Sequence, residues 1–297
     1  MLIMVSEIML ASVLPLVSQN KNMKTIIVAT DFSPVSTNAM NFATDMAMAI
    51  DASILLFHAY NIPVSYSDVP VMLVSVDELK KSSEMQLSTL KDKINHITSG
   101  KLKIYTEARM GNTVDELEEL CKKIQPFAVV MGAKGTSGIE KVVFGSTTLT
   151  AIRHLTWPII CVPPGKVYGN GIKKIGFACD FKHVVETTPV HFIKQIVKEF
   201  GAELHILNVD YKNKQFRPDT PEQSFLLHNL LEEEKPIYHF INSIDTEDGI
   251  NEFAEVNNLD LVIAIPKKHK LLDGIFKTSS TKQLVFQSHI PVMCVHE

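Results

Sequence analysis

Short apolar runs punctuate the first half of the chain and are separated by longer stretches with a helical pattern. Four runs are apolar at every position, at residues 26–29, 54–57, 128–131 and 159–162. Runs without polar alternation are typical of strands buried on both faces, which occur in parallel sheets. Strands that alternate with helices along the chain therefore predict an α/β fold with helices on both faces of the sheet.

Polar residues just before the helical stretches predict where the helices begin. A Ser or Thr hydroxyl can accept a hydrogen bond from the first free backbone N–H groups, and a Glu three residues later completes a capping box. Proline is favoured in the first helical turn because its missing N–H costs nothing there. The three predicted starts are Ser33 with Pro34, Ser75 with Glu78, and Thr113 with Glu116.

Three segments of the first half recur in the second half in the same order. The pairs are residues 23–31 with 172–180, 52–57 with 202–207, and 157–162 with 290–295. The second half is therefore predicted to repeat the plan of the first. Its predicted strands lie near Ile175, Leu204, Tyr238, Leu261 and Val292, and Glu232, Glu233 and Glu234 are interpreted as a solvated helix face.

Residues 163–171, rich in Pro and Gly, are interpreted as the linker between the halves. Residues 1–22 precede the first strand. Their apolar part is interrupted by Glu7 and Pro15 and lacks Lys or Arg before Lys21, which fits neither a secretory signal nor a membrane span well. We interpret this stretch as a poorly ordered or mis-started leader, with export or anchoring as the alternative. The predicted domains are residues 23–165 and 166–297.

Charge and cysteine usage narrow the class of protein. With 29 Lys and Arg against 33 Asp and Glu, the net charge of −4 argues against a nucleic-acid binder that relies on a basic surface. The four cysteines have no CxxC spacing, and Cys161 and Cys294 occupy matching apolar runs, which favours packing and a cytoplasmic protein. No metal-binding spacing is present among the eleven histidines, and His58 and His205 are interpreted as packing residues.

The strongest chemical signal is the stretch at residues 131–147, with the sequence MGAKGTSGIEKVVFGST. Four of the thirteen glycines lie here, directly after a predicted strand and before a predicted helix: Gly132, Gly135, Gly138 and Gly145. Ligands of doubly wound sheets bind outside the carboxyl ends of the strands, and glycine lets backbone N–H groups approach an anion. The stretch is neither a Walker P-loop nor a GxGxxG motif, but it predicts a phosphate site at a helix N-terminus.

Two further side chains are predicted to reach the same edge of the sheet. Asp31 ends the first strand and would accept hydrogen bonds from a ribose or a base, or bind a metal ion. Lys134 lies inside the glycine-rich stretch and is a candidate phosphate contact.

The segments VATDFSPVSTNA, LLFHAY and GAKGTSGIEKVVFGST resemble the universal stress protein family. The resemblance covers residues 23–162 fully and 172–295 more weakly. It implies two tandem doubly wound α/β domains, each a five-stranded parallel sheet flanked by helices, and ATP or AMP as ligand, with or without Mg²⁺. By match to the family, the cofactor-binding residues would be Ala29, Thr30, Asp31 and Ala59 at the adenosine, Met131, Gly132, Ala133, Lys134 and Gly135 at the ribose and phosphates, and Gly145, Ser146 and Thr147 at the outer phosphates.

The chain departs from the family pattern at two places. Ala29 stands where nucleotide-binding relatives often have Pro, which reduces packing against the base. In the second half, alignment of Pro158 with Pro291 puts Ile265, Lys268 and Thr278 opposite Gly132, Gly135 and Gly145. Each replacement adds a Cβ where the backbone would meet phosphate, so this half is interpreted as a degenerate partner domain with a structural or regulatory role.

These observations favour a stress-response protein that binds one adenine nucleotide and has no catalytic residue. The alternatives are a slow ATP hydrolase or adenylate-using enzyme, for which only Asp31 and Lys134 are available near the phosphates, and an interaction module without a nucleotide. We do not expect the protein to bind nucleic acid or a membrane. The halves are expected to form an intramolecular pseudo-dimer through their last strands, and a further homodimer stays open.

Overall fold

Strands and helices alternate through both halves of the chain. The computed structural model describes residues 23–62, 75–133, 145–211, 217–266, 284–285 and 287–296. The strands are β1 (Thr25–Ala29), β2 (Ser53–Tyr60), β3 (Ile104–Met110), β4 (Ala128–Gly132), β5 (Ile159–Val162), β6 (Lys174–Ala178), β7 (Glu203–Val209), β8 (Ile237–Ile241), β9 (Leu261–Ala264) and β10 (Val292–Cys294). The helices are α1 (Pro34–Ala49), α2 (Val76–Ile97), α3 (Thr113–Ile124), α4 (Ser146–His154), α5 (Val184–Thr187), α6 (Val190–Phe200), α7 (Thr220–Leu231) and α8 (Thr246–Val256), with a 3₁₀ turn at Glu232–Glu234.

The ten strands of the described residues belong to one sheet with the order β3-β2-β1-β4-β5-β10-β9-β6-β7-β8. Within each half, every strand pair is parallel. The two halves meet where β5 and β10 pair antiparallel, with Ile160 opposite Met293 at the centre of the register. Each half is therefore a five-stranded parallel sheet, as predicted, and the two sheets are continuous with each other.

Two apolar cores lie on the two faces of the sheet, and both extend across the halves. On β1, Ile26 and Val28 face one core while Ile27 and Ala29 face the other, which is the alternation expected of a strand covered on both sides. Helices α1, α2 and α6 cover the first face, and α3, α4 and α8 cover the second. The fully apolar runs therefore mark strands buried on both faces, as predicted.

Two of the three predicted helix starts are confirmed and one is wrong. The Ser33 hydroxyl accepts from the Ser36 N–H, with Pro34 as the first residue of α1, and Ser75 and Glu78 form the predicted capping box. At α3 the cap is Asn112 instead of Thr113: its Oδ1 accepts from the N–H groups of Val114 and Asp115. Glu116, the other half of the predicted box, instead lies 3.5 Å from the Arg109 guanidinium.

The second half contains all five predicted strands, but the acidic run before β8 differs from expectation. Glu232–Glu234 is a 3₁₀ turn, and the side chain of Glu234 is only 1% exposed. The Lys194 and Lys198 ammonium groups lie 3.9 and 3.8 Å from its carboxylate. Glu234 is therefore a buried acid facing two lysines of α6, and the prediction of a solvated face was wrong for this residue.

Contacts beyond the strand pairing also join the halves. Lys24, just before β1, forms a 2.6 Å ion pair with Glu199 of α6. The rings of Phe127 and Phe200 pack edge to face, 6.4 Å apart. Cys161 and Cys294 are free and buried in the same core, and a hydrogen bond donated by the Cys161 thiol to Cys294, together with burial, raises the pKa of Cys161. The two cysteines thus serve the predicted packing role, at the junction itself.

The linker at residues 163–171 is attached to the first half. The Asn38 side-chain amide on α1 donates to the carbonyl oxygens of Pro163 and Lys166. The Tyr168 ring packs edge to face on Phe42 at 5.4 Å. The predicted leader, residues 1–22, lies outside the described residues. No helix among the described residues is long and apolar enough to cross a membrane.

Two histidines of the second half form a pair that sequence spacing did not indicate. His205 on β7 and His239 on β8 have stacked rings, and Nδ1 of His205 lies 2.9 Å from Nε2 of His239. His205 is 7% exposed, and the ring of His239 also contacts Phe253 of α8. Burial lowers the pKa of both imidazoles, and the neighbouring His205 lowers the pKa of His239 further.

The seam, which is the antiparallel pairing of β5 with β10, predicts how an isolated first half behaves. A chain of residues 23–165 would leave β5 as an unpaired edge whose backbone groups and apolar side chains face solvent. We expect it to dimerise or aggregate, as measured by sedimentation velocity, while the full chain at the same concentration serves as control. A stable monomeric fragment would contradict the role assigned to β5.

The histidine pair predicts a loss of stability in acid. Imidazoles whose pKa is lower in the folded state bind more protons when unfolded, so the free energy of unfolding falls as pH drops below the unfolded value of about 6.5. The double variant His205→Gln, His239→Gln should show a smaller drop in melting temperature between pH 7.5 and 5.5 than the wild type. His191→Gln, at an exposed position of α6, is the control. Equal drops in wild type and double variant would exclude the pair as the cause.

Candidate functional site

The carboxyl ends of β1, β2 and β4 meet at one edge of the sheet, where helices α1 and α4 begin. β1 lies between β2 and β4, with Ala29 opposite Phe57 and Val28 opposite Val130. This places several predicted residues together: Ala29, Thr30 and Asp31 after β1, Ala59 near the end of β2, Met131, Gly132 and Ala133 at the end of β4, and Gly145, Ser146 and Thr147 at the start of α4. Lys134 and Gly135 lie outside the described residues.

A network of short hydrogen bonds shapes the turn from β1 into α1. The Asp31 carboxylate accepts from the Ser33 N–H at 3.0 Å. Thr30 Oγ1 lies 3.0 Å from Ser36 Oγ and accepts from the Phe32 N–H. Phe32 has a left-handed backbone with φ of 63°, which an L-residue adopts only when its surroundings hold it there. The turn therefore fixes Asp31 at the exposed rim of the sheet.

The electrostatics of Asp31 favour its charged form. Partial burial raises the pKa of this carboxyl, but hydrogen bonds from Ser33 and Ser36 outweigh that effect, and the net pKa is lowered. Asp31 is itself exposed. It is therefore an ionised acceptor available to a ligand. The described residues contain no group of three or more His, Cys, Asp or Glu side chains that could hold a metal ion.

His58 connects the second strand to this turn. Its Nδ1 lies 2.8 Å from the Thr30 carbonyl oxygen, which can only accept, so Nδ1 carries the hydrogen. The His58 ring also contacts that of Phe32, with centroids 4.4 Å apart. The imidazole thus contacts the strained Phe32 and holds the Thr30 carbonyl group. This role is more specific than the packing role that the sequence indicated.

Gly132 stands where two helices approach the end of β4. A Cβ at this position would lie 2.7 Å from Cγ1 of Val35 and 2.9 Å from its carbonyl oxygen. The Gly132 carbonyl oxygen in turn accepts from Oγ1 of Thr148 in the first turn of α4, at 3.3 Å. The absence of a side chain at Gly132 therefore lets the start of α1 approach the end of β4. This reason for a glycine differs from the phosphate approach that the sequence suggested.

The beginning of α4 has no side-chain cap among the residues that the structure describes. Its N-cap is Gly145, which supplies no side-chain cap, and the first turn has no acidic residue. The first N–H groups of an α-helix have no partner within the helix, and the helix dipole makes this end attractive to anions. Ser146 and Thr147 are exposed beside these N–H groups. The arrangement can bind an anionic oxygen at several donors.

Several residues of this edge were not predicted from the sequence. Ser36, Val35 and Thr148 matter because of which elements they touch, and each looks like an ordinary helix residue in the sequence. A cavity of about 350 Å³ lies instead at the opposite edge of the first-half strands, lined by Lys24, Phe127, Phe192 and others. It does not include any predicted site residue.

The corresponding edge of the second half has the same turn but different chemistry. Phe181 again has a left-handed backbone, and the Asn208 amide donates to the Cys179 carbonyl oxygen at 2.9 Å, as His58 does to Thr30. Asp180, however, lies 3.5 Å from the Lys182 ammonium group, so its charge is compensated. Ile265 stands after β9, while Lys268 and Thr278 lie outside the described residues. The loss of the Gly132 counterpart is consistent with a degenerate site.

Proteins with a doubly wound α/β fold bind their ligands, nucleotides among them, outside the carboxyl ends of the strands. The model of the universal stress protein family matches residues 22–163 and again 171–296. The chain therefore belongs to the universal stress protein family, with two tandem copies of the domain.

Individual relatives agree with the family match. A universal stress protein of Methanocaldococcus jannaschii is 28% identical over 148 residues, which are 48% of this chain and 84% of that protein. The crystal structure of a universal stress protein from Archaeoglobus fulgidus superposes with a TM-score of 0.70 at 17% identity, covering 93% of this chain and 99% of its own. A universal stress protein solved in complex with cAMP is 25% identical over 48% of this chain and 98% of its own, with a TM-score of 0.37.

The contact at Gly132 predicts a cost in stability. In Gly132→Ala the new methyl group would overlap the Val35 backbone, so α1 must shift, and we expect a loss of about 1–3 kcal/mol of unfolding free energy. Gly145→Ala is the matched control, because its nearest neighbour would be Thr148 Oγ1 at 3.4 Å. Urea unfolding of both variants measures the difference. Equal stability of Gly132→Ala and wild type would show that α1 moves away without cost.

Proposed function

We propose that the first half of this protein binds one adenine nucleotide, ATP or AMP, with or without Mg²⁺, at the carboxyl edge of β1, β2 and β4. One observation carries the proposal: an ionised acceptor, Asp31, and an uncapped helix start at Gly145 converge on the same strand ends. The family resemblance of the glycine-rich stretch at residues 131–147 supports the choice of ligand.

The charges at Asp31 and at the start of α4 indicate which part of the nucleotide would lie at each. A phosphate is repelled by the Asp31 carboxylate and attracted by the helix start, so we place the phosphates at the N–H groups and hydroxyls of Ser146 and Thr147. Asp31 then faces the neutral ribose, whose hydroxyl groups donate to the exposed carboxylate. Lys134 and Gly135 would border the phosphates between these two groups.

The base would lie over the apolar strand ends. Ala29 is 7% exposed and Ala59 and Met131 stand beside it on the neighbouring strands, so small and flexible side chains form the floor. Thr30, by contrast, uses its hydroxyl for Ser36 and its carbonyl for His58. Thr30 would therefore contribute to ligand binding indirectly, by holding the end of β1 in position beneath the base.

The second half has a structural or regulatory role in this proposal. Its Asp180 is paired with Lys182, and Ile265 replaces the glycine that lets α1 approach the end of β4 in the first half. We infer a single nucleotide site in each polypeptide.

Calorimetric titration of the full chain with ATP tests the proposal. We expect a stoichiometry near one and about tenfold weaker binding in Asp31→Asn, since a charge-assisted hydrogen bond is replaced by a neutral one. Asn can still accept from the Ser33 N–H, so the turn is retained. Asp51→Asn, exposed at the opposite edge before β2, is the matched control. Gly135→Val should abolish binding without unfolding the chain.

Three results would contradict parts of the proposal. Absence of ATP and AMP binding in the wild type would leave a nucleotide-free module, and a stoichiometry near two would mean that the second half also binds. Unchanged affinity in Gly135→Val would exclude the glycine-rich stretch as the phosphate site.

A further inference from the structure

Helix α4 is held at its two ends by different halves of the protein. At its start, Thr148 Oγ1 donates to the Gly132 carbonyl oxygen of the first half. In its last turn, Nε2 of His296 lies 2.8 Å from the Ile152 carbonyl oxygen. His296 follows β10 and belongs to the second half. The helix therefore spans the distance from the proposed phosphate site to the seam.

The hydrogen bond at Ile152 satisfies a group that the helix itself leaves open. The last four carbonyl groups of an α-helix have no partner within the helix. A carbonyl oxygen can only accept, so His296 donates from Nε2. The neutral ring with hydrogen on Nε2 and the protonated ring both provide this donor, and the bond does not depend on the charge of the ring.

Apolar packing also joins α4 to the second half. Ala151, Ile152 and Leu155 share one buried core with Leu284, Val285, Ile290, Val292 and Cys294 of the second half. A helix of nine residues is too short to be stable alone, so contacts outside it must set its position. Part of the apolar core around α4 thus comes from the half without a glycine-rich stretch.

We infer that His296 is a positioning residue for the nucleotide site of the opposite half. By donating to the Ile152 carbonyl oxygen in the last turn of α4, it fixes where the N–H groups at Gly145 and Ser146 point, about 10 Å away along the helix. The inference rests on the proposed function. It gives the degenerate half a defined task, since it supplies a fixed support for the one helix that would contact the phosphates.

The experiment compares three variants of the full chain. His296→Ala removes the donor, His296→Gln keeps an N–H donor on a side chain of similar length, and His289→Ala removes an 80% exposed histidine of the same half as control. Two quantities are measured: the ATP dissociation constant by calorimetry, and amide hydrogen exchange of residues 149–155 without nucleotide. Thermal unfolding confirms that all three variants are folded.

We expect about fivefold weaker ATP binding in His296→Ala, the net effect of one hydrogen bond, together with faster exchange in α4. His296→Gln should restore most of both, and His289→Ala should change neither. Wild-type affinity in His296→Ala, or equal weakening in His296→Gln, would overturn the inference. A wild-type chain that binds no ATP would refute the proposed function, while the exchange measurement would still decide whether His296 holds α4.

Discussion

The antiparallel pairing of β5 with β10 is the constraint on which the rest of the molecule depends. Each half ends in a short apolar strand whose outer backbone groups need partners, and each strand provides them for the other. The pairing turns two five-stranded sheets into one, so the apolar cores on both faces continue across the junction. Helices α4 and α6 each contact both halves, through the His296–Ile152 hydrogen bond and the Lys24–Glu199 ion pair.

Most of the fold could be predicted from the sequence because four strands of the first half contain a run that is apolar at every position, and the second half repeats segments of the first in the same order. β3 was not indicated by the apolar runs, since Tyr105, Glu107 and Arg109 alternate with smaller residues on a strand that is half exposed at the sheet edge. The cap of α3 was displaced by one residue because Asn112, a strong acceptor, precedes the expected Thr113. The burial of Glu234 depends on two lysines of α6, which sequence proximity does not reveal.

The candidate site, like the fold, was predicted from the sequence only in part. Strand ends are legible in a sequence, so Asp31 and Gly132 were predicted at the correct edge. Their detailed roles depend on contacts between elements distant in the chain: Gly132 with Val35, Thr148 with Gly132, and His58 with Thr30. No periodicity carries that information. The part of the glycine-rich stretch that includes Lys134 and Gly135 lies outside the described residues, so its role rests on the resemblance to the family.

The antiparallel seam also inverts one half relative to the other. Strands of the first half run towards one rim of the sheet, and those of the second half run towards the opposite rim. The exposed acceptor at Asp31 and the lysine-compensated Asp180 therefore open on opposite sides of the molecule. A flat partner surface could cover either rim but never both together. A protein that contacts the rim at Asp31 would meet, in the second half, the amino ends of strands.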